Sequence, residues 1–425
     1  MTVNPLSGQQ LRAGDWSPSR PPDPRPASRP ESPEPEPGLV GADPPRTTDE
    51  ARQDLSAGLP PDVALLEVIP SRVGKEDCFQ LSMSFRNGEP TGSSDPRELR
   101  NQRRPDRVLA DELDGRISEA AAVSYYRYLR TWSVGKERLT RWLTMLRTEV
   151  PAGLRLIIYD LTNFSIPWEL FWHDMEEDPQ WLGVAVQVIR WTTVRDERLP
   201  LQFRTVADEP VGSEILYHEA SGDCGKLPPR YSISHNQPSG WYKAAATMQE
   251  LLDYLNEGTA RYGLVYVFGH GRHSSHASAA SLAGVRLDAI QYFQLPVLRA
   301  SRSVVILNVC NSARPVRDKT YRDDVNRSFV EFFLRQGATA VVAMMGEVPV
   351  IDAVLMAKEL IEQARDEGVR LPEHLRKHRA ARAARLPRAK LDLAPREQDA
   401  IRAFLYASVF AYFGNVEYVF RLAQK

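Results

Sequence analysis

The sequence predicts an α/β fold with a mainly parallel central sheet, and three observations carry that prediction. Two short apolar runs, Leu264–Phe268 and Val304–Val309, stand about forty positions apart. Their β-branched or aromatic, continuously hydrophobic make-up suits strands buried on both faces. Helical patterns separate these runs from one another and from further strand patterns, a spacing that implies right-handed crossovers. Both runs also end in a reactive side chain, Gly269-His270-Gly271 and Cys310-Asn311-Ser312. In open α/β sheets the loops past the strand C-termini form the ligand crevice.

The elements follow in order. Val63–Ile69 and Phe79–Phe85 read as an antiparallel pair, the second alternating strictly between apolar and polar residues. Glu112–Leu129 and Val134–Arg147 read as helices, with Leu139, Trp142, Leu143 and Leu146 on one stripe of the second. Leu154–Tyr159 is a buried strand closed by Asp160, followed by a short helix over Pro167–Trp172 with proline at its first position. Val184–Trp191 is another strand. The Gly/Pro-rich stretch Asp208–Gly240 marks a surface loop or seam, with one strand at Glu214–His218.

The second half opens on a helix over Trp241–Glu257, then the His270 strand, a helix near Leu287–Leu295 and the Cys310 strand. Asn326–Gln336 is a helix ended by Gly337. Ala338–Met344 is a strand, and Asp352–Glu367 a helix with Asp352 as its N-cap. Ala403–Phe413 is too short for a membrane span and reads as a core strand or helix.

Composition limits the function. The chain has 425 residues, 42% of them hydrophobic, so a sizeable core is available, and a formal net charge of −1 argues against a surface built for nucleic acid or anionic lipid. Fourteen of the 32 prolines fall between Pro5 and Pro61, so residues 1–60 are expected to form a disordered tail. The N-terminus lacks the basic and apolar blocks of a signal peptide. Cys78, Cys224 and Cys310 have neither disulfide-framework nor metal-ligand spacing, which fits a reducing cytoplasm and a Cys310 thiol. Cys78 reads as a core residue and Cys224 as a loop thiol.

A His and a Cys at neighbouring strand ends suit thiol chemistry. Cys310 supplies the sulfur, and His270 the base that takes its proton and later protonates the leaving amine. Gly271, lacking a side chain, lets substrate lie against its backbone N–H, which with that of Cys310 forms an oxyanion hole. Asn308 and Ser312 are expected to hydrogen-bond the turn instead of taking part in chemistry. The bland alternative, a buried small hydrophobe and a structural histidine, stays open on the residues alone.

The pattern resembles the CHAT-domain family of caspase-like cysteine peptidases, relatives of separase. The resemblance rests on Phe268-Gly269-His270-Gly271, on Leu282–Leu287, and on Asn308-Val309-Cys310-Asn311-Ser312. Arg327–Ala338, Ile166-Pro167-Trp168-Glu169-Leu170, Leu405-Tyr406 and Tyr412-Phe413-Gly414-Asn415 extend it over residues 150–420.

It implies a caspase-like three-layer fold over 206–425, preceded by a smaller α/β companion region over 61–205 without a dyad. It also implies a His270–Cys310 dyad with Gly271 as oxyanion donor, and no cofactor. The expected partners are a protein substrate and an activating or sensor protein, with no membrane and no directly bound nucleic acid. The expected setting is bacterial defence or cell death. The alternative is a catalytically silent scaffold of the same fold.

One departure concerns specificity. A Trp-x-Val-x-Asp segment common in the family is replaced by Gly346-Glu347-Val348-Pro349-Val350, which leaves Glu347 and Asp352 as candidate acids of a substrate pocket. The loops 208–240, 272–281 and 313–326 flank the proposed site and suggest gating. His270, His273 and His276 recur at three-residue spacing but have no close acidic or Cys partner, so no metal is expected. The basic stretch Arg376–Lys390 reads as a solvated helix face, with a nucleic-acid or acidic-partner sensor as the alternative.

Overall fold

The computed structural model describes residues 59–86, 91–92, 102–113, 117–173, 180–192, 212–220, 228–235, 240–257, 261–318, 325–387 and 394–422. The proline-rich tail up to residue 58, and Cys224, lie outside the described residues. The central sheet contains β1 (Val63–Val73), β2 (Glu76–Phe85), β3 (Thr91–Gly92), β4 (Arg155–Asp160) and β5 (Gln187–Trp191). It continues with β6 (Glu214–Glu219), β7 (Tyr242–Ala244), β8 (Tyr262–Gly269), β9 (Val304–Val309), β10 (Ala340–Met344) and β11 (Phe410–Gly414). The spatial order is β3-β2-β1-β4-β5-β11-β10-β9-β8-β6-β7. Pairings are antiparallel at β1/β2, β2/β3 and β10/β11 and parallel elsewhere.

Helices cover both faces, giving three layers. They are α1 (Leu109–Glu112), α2 (Glu119–Val134), α3 (Glu137–Glu149), α4 (Leu182–Ala185), α5 (Met248–Asn256) and α6 (Leu287–Ile290). The remainder are α7 (Pro296–Ser301), α8 (Phe329–Arg335), α9 (Val350–Asp366), α10 (Leu371–Ala383) and α11 (Pro395–Ala407). Strand alternation sorts the core. Leu264, Tyr266 and Phe268 of β8 face a layer built from α2, α9, α10 and α11, which runs under both halves of the sheet. Val265 and Val267 face α5, α7 and α8. On that second face the first half of the sheet has its own cover, with Leu139, Leu143 and Leu146 of α3 packed on Leu156 and Ile158.

Local chemistry explains where elements differ from expectation. The helix expected at 112–129 is two helices, because Ser118 caps α2 by accepting the Ala121 N–H. Thr247 starts α5 by accepting the Glu250 N–H, which frees Tyr242–Ala244 to pair with β6. Ser328 likewise starts α8, and the residues before it, Val325–Arg327, pair with Val316–Asp318. The short helix at Pro167 is a single 3-10 turn, Trp168–Leu170, with the proline just before it. Val184 belongs to α4, not to the strand at 187–191.

The helix expected near 287–295 ends at Ile290 as α6, and a second helix, α7, opens at Pro296. Ala403–Phe413 is both readings in turn, the end of α11 and then β11. Gly337, at φ +100, ends its helix as predicted. Asp352 is not an N-cap: Pro349 holds that position, and Asp352 sits in the first turn of α9 with no capping bond.

The solvated face expected at Arg376–Lys390 is corrected too. Arg379 is 1% exposed, and its Nη2 donates to the Phe410 carbonyl at 2.5 Å. Arg376 forks onto Glu373 at 2.7 and 2.9 Å and reaches the Val184 carbonyl. Arg376 thus faces α4 and a partner on its own helix, and Arg379 faces β11.

Candidate active site

The β8/β9 register defines the site. Leu264 lies opposite Val304, and the ladder runs without a shift to Gly269 opposite Val309. His270 and Cys310 are the next residues of the two strands, so they leave the sheet side by side. Every residue of β8 and β9 is buried, whereas His270 is exposed and Cys310 half-buried. Two rigid strands thus present two reactive side chains at a solvent boundary. Cys310 is not in a disulfide.

Gly271 meets Cys310 directly. A Cβ at Gly271 would overlap the Cys310 carbonyl oxygen and come within 2.7 Å of Val309 Cγ1. The glycine is therefore required first by the packing of the two strand ends, a reason that differs from substrate access. Beyond it, Gly271–Arg272 pairs with Ser281–Leu282, which pairs with Val285–Arg286. The turn of that hairpin has Ala283 at φ +46 and Gly284 at φ +87, the geometry of a tight two-residue loop. The Ala283 N–H donates to the His270 carbonyl at 2.9 Å. The segment expected as an open loop at 272–281 is thus clamped at both ends by a small sheet.

The turn after Cys310 is held from two sides. Asn311 takes φ +60, a conformation asparagine tolerates, and its N–H donates to the Gly346 carbonyl at 3.3 Å. Ala313 N–H donates to the Met344 carbonyl at 3.0 Å. Ser312 Oγ accepts the Met344 N–H at 3.1 Å and donates to the Leu307 carbonyl at 3.3 Å, so it ties the turn as expected. Asn308 acts elsewhere: its Nδ2 donates to Tyr266 Oη at 3.1 Å and to the Ala353 carbonyl at 2.8 Å. That pins α9 onto β9 behind the turn.

Beside the two loops stands a charged group that sequence reasoning missed. Arg314 Nη1 donates to Asp111 Oδ1 of α1 at 3.1 Å. Burial, followed by the nearby Arg314 charge, pushes His273 down to about 4 and keeps it neutral. No spacing in the sequence relates position 111 to position 314.

The two candidate pocket acids part company. Asp352 lines a cleft of about 410 Å³ with Ile117, Pro349, Asp399, Arg402, Ala403 and Tyr406. Burial raises its carboxyl above the usual range, opposed by the charge of Arg382. Asp399 pairs with Arg402 at 2.5 Å. Glu347 is half-buried on the segment between Gly346, bonded to the turn after Cys310, and Pro349 at the cleft. Asp399 and Arg402 were not singled out from sequence, since a lone ion pair on an amphipathic helix carries no signal. Among the described residues no cluster of three or more His, Cys, Asp or Glu is arranged to hold a metal, and no helix is long and apolar enough to cross a membrane.

Residues 233–409 match the family model described as CHAT domain. No curated protein matches the chain. Among solved structures, the Saccharomyces cerevisiae separase–securin complex at 3.0 Å is similar at 14% identity and a TM-score of 0.38, covering 64% of this chain and 16% of that one. A second structure of the complex, at 2.6 Å, gives 14% identity and a TM-score of 0.36, covering 65% of this chain and 17% of that one. The chain therefore spans about one sixth of the length of these matched chains.

Proposed function

We propose that this protein is a cysteine endopeptidase whose nucleophile is Cys310 and whose general base is His270. The observation that carries the reading is the unshifted β8/β9 register, which brings His270 and Cys310 out of the sheet together with Gly271 packed on the Cys310 backbone. His270 takes the thiol proton, and the thiolate attacks the scissile carbonyl. The N–H groups of Gly271 and Cys310 stabilise the oxyanion. As the C–N bond breaks, His270 returns the proton to the leaving amine. Water, deprotonated by His270, then hydrolyses the thioester and frees Cys310.

The same reading makes the substrate a protein and Asp352 the acid of a pocket for a basic side chain, with Glu347 on the approach to it. A cation entering the cleft would replace water around a carboxyl whose burial now disfavours its charge. Residues 61–205 serve as a companion region without a dyad, and a partner or signal activates the peptidase in a cytoplasmic defence or cell-death response.

Cleavage of a peptide library by the full chain, with Cys310→Ala as control, tests the reading. A Cys310-dependent preference for Arg or Lys before the cut supports both the dyad and the pocket. An apolar preference removes Asp352 and Glu347 from that role, and cleavage that survives in Cys310→Ala removes the peptidase reading.

A further inference from the structure

Arg314 follows the nucleophile by four residues, yet its side chain is turned away from solvent and is only 13% exposed. Its Nε is buried and has no hydrogen-bond partner among the described residues. Burial works against its charge, Arg104 adds a like charge, and Asp111 is the carboxylate that opposes both. Asp111 itself is 66% exposed and belongs to α1, in the other half of the chain. A guanidinium so desolvated depends strongly on its carboxylate, far more than an exposed pair would.

The same short helix makes a second contact with the site. A Cβ on Gly346 would come within 3.3 Å of Ala110 Cα, so α1 lies backbone to backbone on Gly346. The Gly346 carbonyl accepts the Asn311 N–H, and the Arg314 N–H donates to the Asn311 carbonyl at 3.0 Å. α1 therefore reaches the turn through two routes, one through Gly346 and one through Arg314. His273, three residues after His270, feels the charges of both Arg314 and Asp111.

We infer that Asp111 is a positioning residue that holds the Cys310 turn in place through Arg314, so that the candidate site is completed by the first half of the chain. Its functional meaning rests on the peptidase reading; its structural content does not.

The test uses the full chain carrying Asp111→Asn, Asp111→Arg, Arg314→Asp, and Asp111→Arg combined with Arg314→Asp. Hydrogen–deuterium exchange is read at the amides of Asn311, Ala313 and Arg314, with Leu264–Phe268 as the internal reference. Labelling of Cys310 by an arginyl acyloxymethyl ketone is read alongside. Asp111→Asn should speed exchange in the turn roughly threefold and Asp111→Arg about tenfold, with the reference strand unchanged. The charge swap should return exchange to within about twofold of wild type.

Both Asp111 variants sit at an exposed position, so they report even where Arg314→Asp fails to fold. Wild-type exchange in both Asp111 variants overturns the inference, whatever the labelling does. A turn that responds in a protein whose Cys310 never labels leaves Asp111 as a positioning residue and removes the peptidase reading instead.

Discussion

The two halves of one sheet treat their strand ends in opposite ways. In the first half β4 runs into Asp160, which is consumed by structure. Its Oδ1 accepts the Thr162 N–H and hydroxyl at 2.9 and 2.6 Å, and its Oδ2 accepts Trp168 Nε1–H at 2.9 Å. Next to it Glu169 and Arg190 form a fully buried fork at 2.9 and 2.5 Å. Burial opposes the Glu169 charge, but Arg190 outweighs it and holds the carboxyl below its usual range. In the second half β8 and β9 end in an exposed His270 and a half-buried Cys310. The first half ends its strand in a carboxylate tied into hydrogen bonds, whereas the second half sets His270 and Cys310 at the solvent boundary.

That contrast can be broken from either side, and the largest effect belongs to the first half. Glu169→Ala strands Arg190 in the core beside Arg379, and should cost about 3–5 kcal/mol in a denaturant titration. By comparison, His270→Ala should stay within about 0.5 kcal/mol of wild type, since the imidazole is exposed.

Gly271→Ala should reverse the ranking in an activity measurement. Its methyl collides with the Cys310 carbonyl, so the N–H groups proposed as oxyanion donors should shift and peptide cleavage should fall roughly 10²–10³-fold. Asn308→Leu comes next: it removes the bonds to Tyr266 and Ala353, and thermal unfolding should report a loss of about 1–3 kcal/mol.

A further effect concerns pH. Burial first, then neighbouring cations, pushes His374 and His378 down to about 4 from 6.5. Between those values the unfolded chain binds more protons than the folded one. Stability from this pair is therefore complete above 6.5 and is lost as the pH falls toward 4. His374→Gln combined with His378→Gln should flatten the dependence of Tm on pH between about 7 and 5.

Much of the contrast was legible in the sequence, for a physical reason. Strands buried on both faces must be continuously apolar, so Leu264–Phe268 and Val304–Val309 announced themselves, and the residues ending them were legible with them. Ser312 was legible as a turn residue because a short hydroxyl side chain bonds its own backbone neighbourhood. Asn308 misled, since its partners come from β8 and α9 and not from the turn. Arg379 misled further: periodic arginines on a helix look solvated until a tertiary carbonyl, that of Phe410, claims one of them. The Asp111–Arg314 pair spans 203 positions, and no local pattern records such a contact. Asp352 was misassigned as a cap, because Pro349 starts α9 earlier.

The most direct test of the account is covalent labelling of the full chain by an electrophilic peptide ketone, comparing wild type with Cys310→Ala and His270→Ala in the presence of a candidate activator. The account predicts that wild type labels at Cys310 alone, with Cys78 untouched because it is buried. His270→Ala should label at least about 10²-fold more slowly, the contribution expected of a general base. Labelling at equal rates in wild type and His270→Ala, or at any residue other than Cys310, would contradict it.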